Sequence, residues 1–135
     1  MNTMVPKHMP QRAIDFHTVV RMARQIGDVE EATMYGSPAI KVRGKLLAGI
    51  PANKSAEPHS LGVRISIDDR AELIAAAPEI YYVTDHYVDY PVVLVRLHRI
   101  NSEALKDLLR MAFSFVTRKA SGRKQPRKRG TMKRI

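Results

Sequence analysis

The spacing of apolar residues switches between helical and strand periods along the chain, and it places long helices near both ends. Apolar positions three and four residues apart predict a helix over 15–26. Asp15 can cap its first turn, and Gly27 is expected to end it in a left-handed conformation. The same spacing predicts the strongest helix over 102–119, which begins after the capping residue Asn101.

Between these helices, alternating apolar and polar residues predict several half-buried strands. The strand candidates are 30–35, a hairpin over 39–50, 61–67, 80–84 and 92–97. A short helix over 69–77 interrupts them, and Asp69 followed by Glu72 resembles a capping box.

The hairpin over 39–50 turns at Arg43 and Gly44. A two-residue turn would force Arg43 to a positive φ, which costs an ordinary residue about 1 kcal/mol or more. We therefore predict a three-residue loop with Gly44 in the left-handed bulge position. This register places Lys41 opposite Lys45 on the outer face of the sheet, where an anion between them would relieve their repulsion.

This order of elements predicts one α+β domain, a two-layer sandwich in which an antiparallel sheet carries both long helices on one face. We expect a flexible N-terminal segment over 1–12, the domain over 13–119 and a disordered basic tail over 120–135. The sequence has no cysteine, no secretory signal and no apolar run long enough to span a membrane, so we expect a cytoplasmic protein. The sequence leaves the oligomeric state open, with a monomer favoured.

Charge is distributed unevenly along the chain. The last eighteen residues contain nine of its 23 Lys and Arg and none of its 13 Asp and Glu. The preceding residues are nearly neutral, so the high isoelectric point describes the tail and not the predicted domain.

Four segments, in this order, resemble the MmcQ/YjbR family of small bacterial proteins. They are the Gly-x-Pro turn and Gly-Lys hairpin of 35–48, the strand and acidic helix start of 62–73, the strand of 92–97 and the helix of 103–116. The resemblance covers about residues 14–118. It implies a frataxin-like α+β fold with a double wing of hairpins and a DNA-binding role. The family offers no catalytic residues to carry over.

Basic residues of the predicted sheet form the first candidate site. They are Lys41, Arg43, Lys45, Arg64 and Arg96, which could follow a phosphate backbone. Alternatively, they solubilise an exposed sheet face and protect its edges.

The basic tail is the second candidate. Its Arg123, Lys124, Arg127, Lys128 and Arg129 are typical of segments that bind polyanions in a salt-dependent way. The alternative is a solubilising extension with no partner.

Two further groups have weaker signals. Tyr81, Tyr82, Tyr87 and Tyr90 could stack on unpaired bases, or their rings could complete the core. Asp85 and His86 could form an acid–base pair, or lie in a solvated loop. We find no metal-ligand spacing, cofactor motif or catalytic constellation, and so expect neither cofactor nor enzyme activity.

The sequence thus favours weak, largely sequence-independent binding of DNA or another polyanion. The alternative is a protein-interaction or regulatory domain without a nucleic-acid role.

Overall fold

The structure, a computed structural model, describes residues 14–118. The predicted flexible segment 1–12 and the predicted tail 120–135 lie outside these residues. The elements in chain order are α1 (Phe16–Ile26), β1 (Glu30–Met34), β2 (Ser37–Val42), β3 (Lys45–Gly49), β4 (Ser60–Arg64), α2 (Ile67–Ala76), β5 (Tyr81–Tyr82), β6 (Val92–Arg96) and α3 (Ser102–Thr117).

The strands form one sheet in the order β1-β2-β3-β4-β6-β5, and every neighbouring pair is antiparallel. Helices α1 and α3 pack together, and α3 covers β2, β3 and β4. Their apolar sides form one core with alternate strand residues, including Ile40, Leu61 and Val95. The short α2 packs beside β5 and β6. The predicted α+β sandwich is confirmed. No helix within residues 14–118 combines the length and apolarity needed to cross a membrane.

Both long helices begin where their capping residues predict. The Asp15 carboxylate accepts a hydrogen bond from the Thr18 amide at 2.8 Å, and the Asn101 side chain accepts one from Ala104 at 2.8 Å. The prediction for Gly27 is wrong, because its φ of −176° is extended backbone. A Cβ atom there would lie 2.3 Å from Cζ of Phe113, so close packing against α3 explains the glycine.

The middle of the chain differs from its predicted boundaries. Helix α2 starts at Ile67, two residues early, because Ser66 caps it by accepting a hydrogen bond from the Asp69 amide at 3.0 Å. The preceding strand therefore ends at Arg64. Strand β5 keeps only two residues of the predicted 80–84, because the chain then turns away from β6.

The β2–β3 hairpin has a two-residue turn, which corrects the predicted three-residue loop. Arg43 has a φ of 52° and Gly44 a φ of 80°, and the β1–β2 turn repeats this with Tyr35 at 53° and Gly36 at 80°. Turns with both central residues at positive φ match the right-handed twist of paired strands. The twist of the sheet therefore overrides the local preference of Arg43.

This turn also changes which residues face each other. Lys41 lies opposite Leu46 and Lys45 lies opposite Val42, so the predicted pairing of the two lysines is wrong. The register then shifts by one residue between Ile40 and Lys41, a β-bulge. Leu47 is the extra residue of β3 at this bulge, and its side chain is buried in the core.

Candidate functional site

The predicted basic face does not form one surface. Val42 belongs to the core under the helices, so its cross-strand neighbour Lys45 emerges on the helix side of the sheet. Lys41 and its neighbour Leu46 lie on the opposite, outer side. On that side Glu30 of β1 is directly opposite Lys41. Because Lys41 and Lys45 lie on opposite faces of the sheet, they cannot bind the same phosphate group.

Among the basic residues predicted to bind nucleic acid, Arg96 has the most partners for its guanidinium group within residues 14–118. Its Nε and Nη2 donate to the two carboxylate oxygens of Glu57 at 2.9 and 2.7 Å, and Nη1 donates to the Pro78 carbonyl at 3.1 Å. The guanidinium also lies 4.3 Å from the centre of the Tyr82 ring. The hydrogen bond with Arg96 lowers the pKa of Glu57, and the same bond raises the pKa of Arg96. Arg96 therefore has a structural role.

Arg64 has neither a carboxylate nor a hydrogen-bond acceptor among residues 14–118. Its Nε is buried and unpartnered, and its guanidinium lies 6.0 Å from the centre of the Phe115 ring. Strands β3 and β4 pair only at Ala48 with Val63 and at Gly49 with Gly62. Arg64 follows these pairs and lies opposite Val92 of β6, with no β3 residue paired to it.

Three cations meet in a hollow at the end of α3. Lys45, Arg64 and Arg118 line it around Phe115, and we call this group the cationic corner. The Arg118 guanidinium lies 5.7 Å from the centre of the Phe115 ring. No Asp or Glu within residues 14–118 lines the hollow, and Arg43 is exposed at the adjoining turn. The other tail residues predicted to bind, Arg123, Lys124, Arg127, Lys128 and Arg129, lie outside the described residues.

The outer face of the sheet contains a cleft of about 590 Å³, which we call the outer cleft. Its floor is a row of directly opposed residues from four strands, namely Ala39, Gly49, Gly62 and Leu94. Ala39 and Leu94 are 1% and 0% exposed, so the accessible part of this row is the backbone of Gly49 and Gly62. Residues 50–53 and 86–91 form the walls.

Hydrogen bonds hold the two walls together. The Tyr87 hydroxyl accepts from the Asn53 amide at 3.4 Å, and the Ser55 and Thr84 hydroxyls are 2.8 Å apart. Further along, the Tyr82 hydroxyl accepts from the Glu57 amide at 2.8 Å. The loops that frame the cleft are therefore tied to each other, as well as to the sheet.

A buried arginine fixes the second wall from beneath. Arg70 of α2 is only 5% exposed. Its Nη1 donates to the carbonyls of Tyr90 at 2.9 Å and Val92 at 3.1 Å, and its Nη2 donates to that of Val88 at 2.9 Å. Sequence reasoning missed this residue, because an arginine beside acidic residues in a helix normally signals a solvated surface.

The predicted tyrosine cluster divides into different roles. Tyr81 is buried in the core, and burial raises the pKa of its hydroxyl. Tyr82 packs against the Arg96 guanidinium and accepts a hydrogen bond from the Glu57 amide. Tyr87 and Tyr90 line the outer cleft, and Tyr90 is 58% exposed.

The histidines of residues 14–118 do not form a metal site. His86 is exposed at the cleft, with its ring edge-on to Tyr87 at 4.7 Å. His59 and His98 pair edge-on at 6.5 Å elsewhere on the molecule. Within residues 14–118, no group of three or more His, Asp or Glu is arranged to hold a metal ion.

Comparisons with known proteins describe the fold more closely than the function. No family model matches the chain. Uncharacterised proteins of Mycobacterium bovis and Mycobacterium tuberculosis are 41% identical to it over 54 residues, which is 39% of this chain and 42% of theirs. The chain thus matches less than half the length of these relatives.

A solved structure shares this fold over most of its length. The crystal structure of a Deinococcus radiodurans protein with a DUF419 domain superposes with a TM-score of 0.64 and 19% sequence identity. The match covers 83% of each chain. At this identity the similarity establishes a common fold, and the fold of this chain is that of the DUF419 domain.

Proposed function

We propose that this protein binds nucleic acid at the cationic corner, through weak and largely sequence-independent contacts with phosphate groups. One observation carries the proposal: Lys45, Arg64 and Arg118 line one hollow, and none of them forms an ion pair with a residue in 14–118. Unpaired cations on a concave surface attract phosphate oxygens without reading the bases.

The position of Arg118 joins the corner to the basic tail. Eight further Lys and Arg follow it before the C-terminus. Residues 14–118 contain thirteen basic and thirteen acidic side chains, so overall charge does not attract DNA to the domain. A local gathering of cations next to the start of a basic segment supports the binding proposal better than net charge does.

The proposal includes membership of the MmcQ/YjbR family, of which DUF419 is another name. The four segments over 35–48, 62–73, 92–97 and 103–116 support it, as does the shared fold with the Deinococcus protein. The proposal assigns the double wing of that family to the β1–β2 and β2–β3 hairpins.

The salt dependence of duplex DNA binding tests the proposal. Each neutralised phosphate adds about 0.9 to the slope of log K against log salt. We expect Lys45→Ala combined with Arg118→Ala to lower the slope by about 2, and deletion of 121–135 to lower it by several more. The measurement is fluorescence anisotropy at several salt concentrations.

A matched control removes the same charge elsewhere. Arg99→Ala combined with Lys106→Ala acts near the start of α3, which lies about 24 Å from its end at 1.5 Å per residue. We expect this control to keep the wild-type slope. Equal slopes for the corner variant and the wild type would reject the corner, and a protein-interaction role would then be favoured.

A further inference from the structure

We infer that the outer cleft accepts one unpaired nucleobase, whose phosphate group is held by Arg64. This inference rests on the proposed function and adds a site for the nucleobase, which phosphate contacts do not recognise. It makes the protein a binder of single-stranded nucleic acid, or of free nucleotides, in preference to duplex DNA.

The floor of the cleft suits a flat ring. Gly49 and Gly62 are direct cross-strand partners, with Ala39 and Leu94 on either side. A side chain at Gly62 would have room, because a Cβ atom there has no neighbour closer than 3.6 Å. Its backbone is also outside the left-handed region. Neither steric crowding nor backbone conformation in β4 therefore requires a glycine at position 62. Its effect is to leave the floor of the cleft open.

The walls supply an aromatic surface that is already in place. Tyr90 is 58% exposed, while its backbone carbonyl is held by buried Arg70 at 2.9 Å. Tyr87 is tied to the facing wall through Asn53. An exposed ring on a fixed backbone loses little conformational freedom when it stacks on a base.

Arg64 connects the cleft with the cationic corner. Together with Met34 and Leu46, it lines both hollows, and its buried Nε has no acceptor in residues 14–118. A buried guanidinium nitrogen without an acceptor is unfavourable, and a ligand oxygen would relieve that cost. An apolar, flat-floored cleft that ends at an arginine fits a ligand with a planar ring and an attached anion.

The size and neighbourhood of the cleft favour a nucleotide over other planar anions. At about 590 Å³ it falls within the range of about 300–1,000 Å³ that is usual for small-ligand pockets. Lys45 and Arg118 stand beyond Arg64 in the adjoining hollow. A strand could place one base in the cleft and its next phosphates in the corner, whereas a stacked duplex would offer no base.

Fluorescence anisotropy on the full-length protein tests this, with a short labelled single strand, the matching duplex and adenosine 5′-monophosphate as competitor. Gly62→Val fills the floor and Tyr90→Ala removes the stacking ring, and neither changes the charge. We expect each to weaken single-strand binding about tenfold while leaving duplex binding unchanged. Gly62→Ala should have a smaller effect, and circular dichroism checks that each variant is folded.

The outcomes separate this inference from the proposed function. If Gly62→Val and Tyr90→Ala leave single-strand binding intact while Lys45→Ala with Arg118→Ala weakens it, the cleft inference is wrong and the corner stands. If the corner variant changes nothing but Gly62→Val abolishes nucleotide binding, the cleft is correct and the corner is wrong. If adenosine 5′-monophosphate displaces the labelled strand, a free nucleotide is sufficient for binding in the cleft. If it does not displace the strand, the ligand is single-stranded nucleic acid.

Discussion

Replacing Arg70 with methionine should destabilise the domain far more than its place in a short helix suggests. The guanidinium makes three hydrogen bonds to main-chain carbonyls of the loop and strand at 88–92, and it is only 5% exposed. Arg70→Met fills a similar volume but removes the arginine donor from all three carbonyls, although that of Tyr90 still accepts from the Val92 amide at 2.8 Å. The loop that forms one wall of the outer cleft then loses its attachment to α2.

The magnitude follows from the number and kind of bonds. A hydrogen bond to a charged group contributes about 1.5–3 kcal/mol, and three of them set an upper limit of several kcal/mol. Removing a buried charge recovers part of this, since its desolvation is no longer required. We therefore expect Arg70→Met to lower the free energy of unfolding by about 3 kcal/mol. For a domain of this size, that corresponds to a fall in Tm of about 12–24 °C.

Urea unfolding followed by tyrosine fluorescence and circular dichroism measures the effect. Arg110→Met is the matched control, because Arg110 is 58% exposed in α3 and Asp107 is its one ion-pair partner within residues 14–118. It should change stability by less than about 0.5 kcal/mol. Arg70→Lys keeps the charge but not the planar guanidinium group, so we expect it to show most of the loss in unfolding free energy that Arg70→Met shows. A loss below about 1 kcal/mol for Arg70→Met would refute the reasoning.

Two further predictions concern pH and packing. The pKa of Glu57 is lowered below its ordinary 4.5 by the hydrogen bond from Arg96, so its stabilising contribution is present above that value and is lost as pH falls through the folded-state pKa. The stability difference between the wild type and Glu57→Gln should therefore be seen at pH 7 and shrink as the pH falls below 4.5 in urea titrations, and a constant difference would contradict the assignment. Gly27→Ala places a methyl group 2.3 Å from the Phe113 ring and should destabilise the protein by about 1–3 kcal/mol. The loss should shrink in a Phe113→Leu background, and purely additive changes in thermal unfolding would show that the ring is not responsible.

The local pattern of the sequence was sufficient for the elements and the fold class. Helices α1 and α3 begin at their predicted caps, Asp15 and Asn101, because capping and apolar periodicity involve residues within a few positions of each other. The alternation of 61–67 identified a strand for the same reason, although Ser66 moved its end.

The candidate site depended on choices that no local pattern encodes. The turn at Arg43 and Gly44 has two residues, and it places Lys45 on the face of the sheet opposite to Lys41. A change of one residue in strand pairing reverses the face on which each side chain lies. That reversal dispersed the predicted basic face.

Tertiary packing alone brought distant residues into the sites. Lys45 meets Arg118 because the β2–β3 turn and the end of α3 lie at the same end of the sandwich. The outer cleft exists because loops near 50 and 90 are tied together across the sheet, with Arg70 beneath one of them. Periodicity and caps are local in the chain and can be read from it, whereas these contacts join residues tens of positions apart and exist only once the sheet has formed.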